Sequence, residues 1–366
     1  MPPRVAILPP VPVPYREPLF RSLAERGRVT PHVVFLAASQ PGWDQPSGWF
    51  SEAEGYGSEI LTGWQRRRPG RSPITVARGL GRALSRARPD CVVSWEYGPG
   101  TMRALAWARR RRVPLLIFSE LTPASDAGLS APQLLLHRLL APKAAGFIVA
   151  SSRGADRLQS LGVEPRRIEV ALQSADLSSI RPAAGHSGGP VRILAVGRLV
   201  PDKNLGSLIA AFAEAGFDEG EAELEIRGIG PLEGELDAEA RRLGVPVQFP
   251  GPVPPSELGA VYATAHALAL VSSYEPFGAT LREGAAAGLP LIASRRAGAV
   301  GDVAVAGENA LVIDPDDRGQ ITAALRRLVR EPGLRERLAA GSRAITARHP
   351  PQADVEAWER AVLRVV

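Results

Sequence analysis

The amino-acid sequence predicts an α/β protein with two domains, each built on a parallel β-sheet. Its 366 residues, 45% of them hydrophobic and 22% charged, are more than one hydrophobic core usually supports. Short apolar runs alternate with amphipathic stretches, as in repeated strand–helix–strand units. The alternation breaks at residues 181–190, which contain no long apolar side chain. We therefore assign residues 183–190 as a linker between domains 1–182 and 191–349.

The first domain contains six apolar runs with the length of buried parallel strands. They are Arg4–Leu8, Pro31–Leu36, Asp90–Trp95, Val113–Phe118, Gly146–Val149 and Ile168–Ala171. Apolar residues at helical spacing predict helices over Pro73–Ala87, Thr101–Arg111 and Ala155–Leu161. On the first of these helices, Arg78, Arg82 and Arg86 form a stripe opposite the apolar face.

The second domain repeats this order of strands and helices. Its predicted strands are Val191–Val196, Ala222–Ile226, Val247–Phe249, Ala267–Val271, Leu289–Ala293 and Leu311–Ile313. Residues 350–366 form one more predicted helix, which we expect to cross back to the first domain. Its apolar residues at helical spacing are Val355, Trp358, Val362 and Val365. Because ligands of open parallel sheets bind at the carboxyl ends of strands, we expect the two sheets to face a cleft.

The composition indicates a protein of a reducing compartment. Cys91 is the only cysteine, so the chain closes no internal disulfide and builds no cysteine-rich zinc site. The N-terminus leads into an apolar run of a few residues, and no window reaches the roughly 18 uncharged apolar residues that span a bilayer. We therefore predict a cytoplasmic protein without a signal peptide or a transmembrane helix.

Charge is distributed unevenly along the chain. Residues 1–182 contain 25 Arg and Lys against 14 Asp and Glu, a charge of +11, whereas the remainder contains 19 against 24, a charge of −5. The basic clusters are Arg66–Arg68, the Arg78, Arg82 and Arg86 stripe, and Arg109–Arg112. They predict an anionic partner such as the inner face of a membrane. The competing explanation is an arginine-biased composition, since only Lys143 and Lys203 are lysine. Nucleic acid is not predicted, because no aromatic platform is interleaved with the arginines.

Several enzyme classes lack their motifs in this sequence. The first strand runs into residues 9–14, Pro-Pro-Val-Pro-Val-Pro, where a dinucleotide-binding dehydrogenase has a glycine-rich turn. There is no Gly-x4-Gly-Lys-Ser/Thr loop, no Gly-x-Ser-x-Gly elbow and no His-Glu-x-x-His pair. The sequence therefore disfavours a dehydrogenase, a P-loop hydrolase, a serine hydrolase and a zinc enzyme.

The loop after the first strand of the second domain carries two cations, Arg198 and Lys203. Gly197 and Pro201 favour a turn there, and Asn204 suits the cap of the following helix. At the carboxyl edge of the sheet, both cations can contact one anionic group. The alternative is a surface loop with two solvated cations.

The segment 274–290 follows a later strand and combines an anion site with two carboxylates. Pro276 ends the strand, and Gly278 lets the backbone approach a ligand. A helix follows, and the free N–H groups at its start belong to Phe277, Gly278, Ala279 and Thr280. Such groups suit a phosphate, whereas Glu275 and Glu283 suit hydroxyl groups. The alternative is a plain turn followed by a solvated helix.

These segments occur in a specific order and spacing. Residues 197–204 read Gly-Arg-Leu-Val-Pro-Asp-Lys-Asn, and about 75 residues later Glu275 begins Glu-Pro-Phe-Gly-x4-Glu-x-Ala-x-x-Gly-x-Pro. Between them, a strand leads into a turn with Gly228 and Gly230. The pattern resembles the donor half of family 4 retaining glycosyltransferases, which have the GT-B fold of two Rossmann-like domains. The resemblance covers the whole second domain, and the first domain only in its layout.

The resemblance implies a nucleotide-diphosphate sugar, linked to UDP or GDP, as co-substrate, and neither a cofactor nor a metal. Arg198 and Lys203 would neutralise the leaving diphosphate, because preorganised cations stabilise the charge that grows on the leaving oxygen. Glu275 would orient sugar hydroxyls and Glu283 would bind the ribose. The other implied donor-binding residues are Gly228, Gly230, Phe277, Gly278, Ala279 and Thr280.

The first domain departs from the family pattern and would bind the acceptor. Many members carry a His in a Thr-x-His-Gly-like segment, where this chain reads Phe118–Pro123 with Glu120 at the position of the His. Glu120 would act as a base or bind a hydroxyl, and the alternative is a helix cap or a rim residue. Tyr15 and Arg16 follow the first strand at the same edge and would contact the acceptor or the diphosphate. Glu96 belongs to Trp95-Glu96-Tyr97 at the end of another strand, which would line the acceptor site or, alternatively, close the core.

The sequence thus predicts a metal-independent retaining hexosyltransferase that acts on an acceptor hydroxyl in glycan, glycolipid or polysaccharide biosynthesis. Two alternatives remain open. One is an enzyme of this kind with a soluble small-molecule acceptor. The other is a catalytically silent homologue that binds sugar nucleotides or polyanions, which the missing His favours and the intact Arg198, Lys203, Glu275 and Glu283 oppose.

Overall fold

A computed structural model of the chain describes residues 1–40, 55–68, 71–173, 177–181 and 189–366. The chain divides into two units, one of Met1–Ala175 with Pro351–Val366 and one of Asp176–Pro350. Residues 183–188 of the predicted linker lie outside the described part of the chain. Each unit contains one large parallel sheet with helices, as the predicted fold class requires.

The first unit contains the six predicted strands, with ends within two residues of the predicted ones, and three more. Its strands are β1 (Arg4–Leu8), β2 (Thr30–Phe35), β3 (Gly57–Ile60), β4 (Gly63–Arg68), β5 (Arg71–Ala77), β6 (Cys91–Trp95), β7 (Leu115–Ser119), β8 (Gly146–Val149) and β9 (Ile168–Val170). Its helices are α1 (Glu17–Arg26), α2 (Leu80–Ala87), α3 (Pro99–Arg111), α4 (Pro123–Asp126), α5 (Ala131–Leu140) and α6 (Ser152–Ser160). The parallel sheet has the order β3-β2-β1-β6-β7-β8-β9, and β4 pairs with β5 in an antiparallel hairpin.

The segment 73–77 is part of strand β5, so the helix predicted over residues 73–87 was wrong in its first third. Its β-branched residues are Ile74, Thr75 and Val76. Such residues favour extended backbone, and pairing with β4 satisfies their main-chain groups. The helix begins only at Leu80. Arg78 therefore precedes α2, and of the predicted stripe only Arg82 and Arg86 lie on the helix, both exposed.

The second unit contains all six predicted strands, again with ends within two residues of the predicted ones. They are β10 (Val191–Val196), β11 (Ala222–Arg227), β12 (Val247–Gly251), β13 (Ala267–Leu270), β14 (Leu291–Ser294) and β15 (Ala310–Ile313). The helices are α7 (Leu205–Glu214), α8 (Glu233–Leu243), α9 (Leu258–Ala263), α10 (Ala279–Ala286), α11 (Arg318–Arg330) and α12 (Pro332–Arg348). The parallel sheet has the order β12-β11-β10-β13-β14-β15.

The strand order of each sheet reverses at one point. In the first unit the chain builds outward from β1 to β3 and then returns to place β6 on the other side of β1. In the second unit β13 returns in the same way to the other side of β10. Every residue of β6, β7, β8 and β13 is buried, which explains their continuous apolar runs. The loops at the carboxyl ends beside these reversals are where open α/β sheets bind ligands.

The last helix, α13 (Pro351–Leu363), packs on the first unit, where it contacts β8, β9 and α1. Its buried side chains include Trp358 and Glu359, at 2% and 0% exposure. The predicted crossing of the last helix to the first domain is therefore confirmed. Within the described residues, no helix is both long and apolar enough to cross a bilayer.

Candidate functional site

In the second unit, the loops after β10 and β11 approach each other closely. The Leu199 N–H donates to the Ile229 carbonyl oxygen at 3.0 Å. A Cβ atom on Gly228 would lie 1.8 Å from the Gly197 carbonyl oxygen, and one on Gly230 would lie 2.3 Å from that of Leu199. Only glycine fits at these positions. Packing therefore accounts for Gly228 and Gly230, and their contact with a donor stays a prediction.

The turn that carries Lys203 is tied to the loop after β13. The Asp202 carbonyl oxygen accepts a hydrogen bond at 2.9 Å from a main-chain N–H of that loop. The Asn204 Nδ2 donates to the carbonyl oxygens of Val271 at 3.3 Å and of Pro315 at 2.8 Å. The Asn204 side chain therefore bridges loops and makes no capping hydrogen bond to α7, contrary to the prediction.

The two loops bring cations and a carboxylate to one place. A small pocket between them has among its lining residues Gly197, Arg198, Lys203, Val271 and Ser272. The Lys203 ammonium forms a close ion pair with Glu275 Oε2, and Ser272 Oγ lies 3.4 Å from the same oxygen. Arg198 is exposed, and its side chain forms no ion pair or hydrogen bond within the described residues. Arg198 and Lys203 thus line one pocket, and their contact with one anionic group stays a prediction.

The start of α10 adds hydrogen-bond donors beside Glu275. Gly278 has a left-handed backbone with φ of 99°, and α10 begins directly after it, at the predicted residue. The first N–H groups of a helix have no intrahelical acceptor. The Thr280 Oγ1 atom is buried and has no hydrogen-bond partner in the part of the chain described. A buried hydroxyl without a partner, beside helix-start N–H groups, fits a bound ligand. Phe277 is 1% exposed, so only its main chain can contribute.

Glu283 lies one turn further along α10 and is 9% exposed. Its Oε2 atom accepts a hydrogen bond at 2.6 Å from the hydroxyl of Tyr262, which is fully buried. Burial and the neighbouring carboxylate raise the pKa of Tyr262 well above its usual value, so the hydroxyl keeps its proton and stays a donor. Tyr262 therefore orients Glu283. Tyr262 could not be predicted from the sequence, because a single tyrosine on a short helix belongs to no motif.

In the first unit, a polar cluster lies beside the reversal between β1 and β6. Arg16 is 7% exposed, and its Nη2 donates to Glu120 Oε1 at 2.8 Å. The Gln173 Nε2 donates to the same oxygen at 3.1 Å. The Arg16 guanidinium carbon lies 4.3 Å from the centroid of the Trp95 ring. We call Arg16, Glu96, Glu120, Gln173 and Trp95 the Arg16 cluster. The sequence did not predict Gln173 as a site residue, and it left Trp95 between a wall of the acceptor site and the core.

Glu96 joins this cluster through a strained backbone. Its φ of 53° is left-handed, which is unusual for a residue with a side chain. Its carboxylate accepts hydrogen bonds from Ser119 Oγ at 2.9 Å and from the Glu120 main-chain N–H at 2.6 Å. Burial raises the pKa of Glu96 to about 7, although the hydrogen bond from the Glu120 N–H lowers it. Backbone strain and shifted pKa values are each common at functional sites.

Tyr15 belongs to a 3-10 turn, Pro14–Arg16, between β1 and α1. Its ring centroid lies 5.2 Å from the guanidinium carbon of Arg16, and its side chain packs against Val11 and Val13. The structure therefore places Tyr15 next to Arg16, and brings Arg16 and Glu120 together. Glu120 lies in the loop after β7 and forms no helix cap.

Two family descriptions match the chain, one in each half. "Glycosyl transferase 4-like domain" matches residues 12–171, and "Glycosyl transferases group 1" matches residues 178–344. The second match includes the Lys203 turn and the start of α10, and the first includes most of the Arg16 cluster. The two matches together cover most of the chain, and both descriptions are of glycosyltransferases.

Curated relatives match mainly over part of the chain. A glycogen synthase of Mycobacterium tuberculosis is 34% identical over 157 residues, which is 42% of this chain and 38% of that protein. A D-inositol 3-phosphate glycosyltransferase of Rhodococcus jostii is 32% identical over 215 residues, which is 54% of this chain and 46% of that protein. The matched region therefore spans less than half the length of these relatives.

A solved structure agrees over the whole chain. The structure of HepE from Anabaena, in complex with UDP and glucose, has a TM-score of 0.79 to this chain at 16% sequence identity, and the match covers 99% of this chain and 100% of HepE. At this identity the likeness concerns the fold. That likeness shows the GT-B fold. The two family matches, which together cover residues 12–171 and 178–344, show that the chain belongs to the family 4-like, group 1 glycosyltransferases.

Proposed function

We propose that the chain is a retaining hexosyltransferase that takes its sugar from a nucleotide diphosphate bound in the second unit. The observation that carries the proposal is the pocket lined by Arg198 and Lys203, with Glu275 in contact with Lys203. Two cations suit a diphosphate, and a carboxylate beside them suits sugar hydroxyls. We call Arg198, Lys203, Glu275, Thr280 and Glu283 the donor site.

Each residue of the donor site has a proposed role. Arg198 and Lys203 bind the diphosphate together with the N–H groups at the start of α10. Glu275 binds sugar hydroxyls, and these hydroxyls replace Lys203 as its partner when the donor binds. Thr280 donates its unpartnered hydroxyl to a phosphate oxygen. Glu283, oriented by Tyr262, accepts hydrogen bonds from the ribose hydroxyls.

In the proposed reaction, the bond between the anomeric carbon and the oxygen of the second phosphate breaks, and its electron pair stays on the phosphate. The acceptor oxygen forms the new bond to the anomeric carbon on the same face, and its proton passes to the leaving phosphate. The products are a nucleoside diphosphate and a glycoside with retained configuration. Arg198 and Lys203 stabilise the charge that grows on the leaving oxygen, so we propose that no metal is required.

We propose that the acceptor binds at the Arg16 cluster. Glu120 is 18% exposed in its side chain, and its two side-chain hydrogen bonds both end on Oε1. Its Oε2 accepts no hydrogen bond within the described residues, so this oxygen is the one that suits an acceptor hydroxyl. We propose that Glu120 takes the role of the His that many members of the family carry in the corresponding segment.

For the location of the acceptor we propose the inner face of a membrane, with a cytoplasmic enzyme held there by charge. Arg4, Arg82, Arg86 and Arg88 line a shallow concave surface of the first unit, and Arg109–Arg112 are exposed at the end of α3. Each basic residue near an anionic leaflet contributes about 1 kcal/mol. The side chains of Arg67 and Arg68, also in the predicted patch, lie outside the described residues.

Sedimentation with liposomes tests the membrane proposal. Binding should need anionic lipid, weaken as salt rises, and fall when Arg82, Arg109 and Arg110 are replaced by Gln. If the protein does not sediment with anionic liposomes at low salt, a soluble small-molecule acceptor becomes the better hypothesis.

A nucleotide panel tests the enzyme proposal. UDP, GDP and ADP are compared by thermal shift, because a ligand at 100 times its Kd adds roughly 2.7 kcal/mol to the state it binds. The corresponding glucose nucleotides are then assayed for release of the nucleoside diphosphate. Binding without release from any of them would favour the silent homologue, and the absence of both would refute the donor site.

A further inference from the structure

Arg16 lies at one end of a stack of side chains that reaches the last helix of the chain. Its guanidinium carbon is 4.3 Å from the Trp95 ring centroid. The Trp95 centroid is 4.0 Å from that of Phe118, and Phe118 is 5.4 Å from Trp358 of α13. Trp358 is 2% exposed, so its ring is enclosed. The stack connects α13 with the Arg16 cluster.

Ion pairs hold α13 against the same part of the first unit. Glu359 follows Trp358 in the sequence and is fully buried. It accepts a hydrogen bond from Arg26 Nε at 3.0 Å. Arg26 is the last residue of α1, the helix that begins directly after Arg16. On β9, Glu169 accepts from Arg360 Nε at 2.8 Å. The helix that follows Arg16 is therefore connected to α13 through Arg26, and β9 is connected to α13 through Glu169.

The orientation of the Arg16 guanidinium depends on the ring that packs against its flat face. Its Nη2 is held by Glu120, whereas its Nε is buried and has no hydrogen-bond partner within the described residues. A guanidinium with one hydrogen-bonded end can turn about that end unless a neighbouring ring stops it. Two rings lie against this guanidinium, Tyr15 at 5.2 Å and Trp95 at 4.3 Å from its carbon to the ring centroid. Trp95 is the nearer of the two, and Phe118 and Trp358 pack against it.

We infer that Trp358 is a positioning residue for Arg16. It keeps the Trp95 ring in place, and the ring fixes the plane in which Arg16 faces Glu120. The role of Arg16 toward an acceptor rests on the proposed function, whereas the positioning itself rests on the stack. The site of the first unit is therefore completed by a helix that follows the second unit in the sequence.

Hydrogen exchange of the Arg16 Nε–H, followed by NMR in protein labelled with ¹⁵N-arginine, tests this inference directly. The signal is assigned with Arg16→Lys. Trp358→Leu should speed the exchange by about tenfold or more, because the guanidinium turns out of its place, and Trp358→Phe should restore slow exchange. Val362→Ala is the matched control, since Val362 is also 2% exposed on α13 and takes no part in the stack.

The same variants are assayed for UDP affinity by calorimetry and for release of UDP from UDP-glucose with glycerol as the probe acceptor. Trp358→Leu should lower the release and leave the Kd for UDP within about twofold. Unchanged Arg16 exchange in Trp358→Leu, or equal acceleration in Val362→Ala, would overturn the inference. If wild type neither binds nor releases UDP, GDP or ADP, the proposed function fails, and the exchange measurement still decides the role of Trp358.

Discussion

The donor site and the Arg16 cluster lie at equivalent points of two similar sheets, but they are held in different ways. In the donor site, main-chain hydrogen bonds and glycines set the loops, as at Gly228 and Asp202. In the Arg16 cluster, side chains hold side chains, with Arg16 bonded to Glu120 and stacked on Trp95. Main-chain packing demands particular residues at a constant spacing, so it leaves a motif. Side-chain clusters draw on residues far apart in the chain and leave none.

The largest expected effect is on the chemical step at the donor site. Lys203→Ala and Arg198→Ala should each lower turnover on the order of 100-fold, because each removes a cation from the growing charge on the leaving group. Lys203→Arg should restore only part of the activity, since a planar guanidinium does not reach the same point as an ammonium. Steady-state release of the nucleoside diphosphate measures this. Lys143→Ala, at the other lysine, is the control, and wild-type turnover in Lys203→Ala would refute the donor site.

The next largest expected effect is on stability, and it tests whether main-chain packing holds the loops of the donor site. Gly228→Ala should destabilise the second unit by more than about 2 kcal/mol, because its Cβ would meet the Gly197 carbonyl oxygen at 1.8 Å. Gly234→Ala is the control, since a Cβ at that position on α8 meets no atom within 4 Å. This substitution should stabilise by up to about 1 kcal/mol, because alanine favours helix. Scanning calorimetry compares the two, and equal transition temperatures would contradict the packing argument.

The third effect is the pH dependence of stability that the Glu96 carboxyl of the Arg16 cluster causes. The pKa of Glu96 is raised from 4.5 to about 7, so the folded state favours the protonated carboxyl. As pH rises from about 4.5 through 7, wild type should lose stability relative to Glu96→Gln, which does not titrate. The expected loss is on the order of 2 kcal/mol. Denaturant unfolding at several pH values measures it, and a difference that does not change with pH would mean that Glu96 is not desolvated.

The smallest expected effect separates two carboxylates of the donor site. Tyr262→Phe removes the donor to Glu283 and should weaken nucleoside diphosphate binding by about 1 kcal/mol. Glu283→Gln should also weaken that binding, whereas Glu275→Gln should mainly lower transfer. Calorimetry with the diphosphate alone distinguishes them. Equal losses of affinity in Glu275→Gln and Glu283→Gln would show that the two roles are not divided in this way.

The sequence predicted the parts of the molecule that depend on local pattern. Fully buried strands such as β6 and β13 appear as continuous apolar runs, and the alternation with helices indicated two parallel sheets. The hairpin of β4 and β5 was missed, because its residues at 73–77 also fit a helical period and only the pairing with β4 decided their state. Asn204 was placed correctly in the chain, but its side chain bridges two loops through contacts that no local pattern contains.

By itself, the sequence determined the fold class, the family and the segments of the donor site, because turns, helix starts and close glycine contacts restrict residue types within a few positions of each other. Tertiary structure alone decided which side chains complete the sites. Tyr262 reaches Glu283 from α9, Gln173 reaches Glu120 from beyond β9, and Trp358 supports the stack from the last helix. These partners are separated by 21, 53 and, for Trp358 and Phe118, some 240 residues. Contacts over such distances arise only when the sheets and helices have packed, so no local spacing in the chain records them.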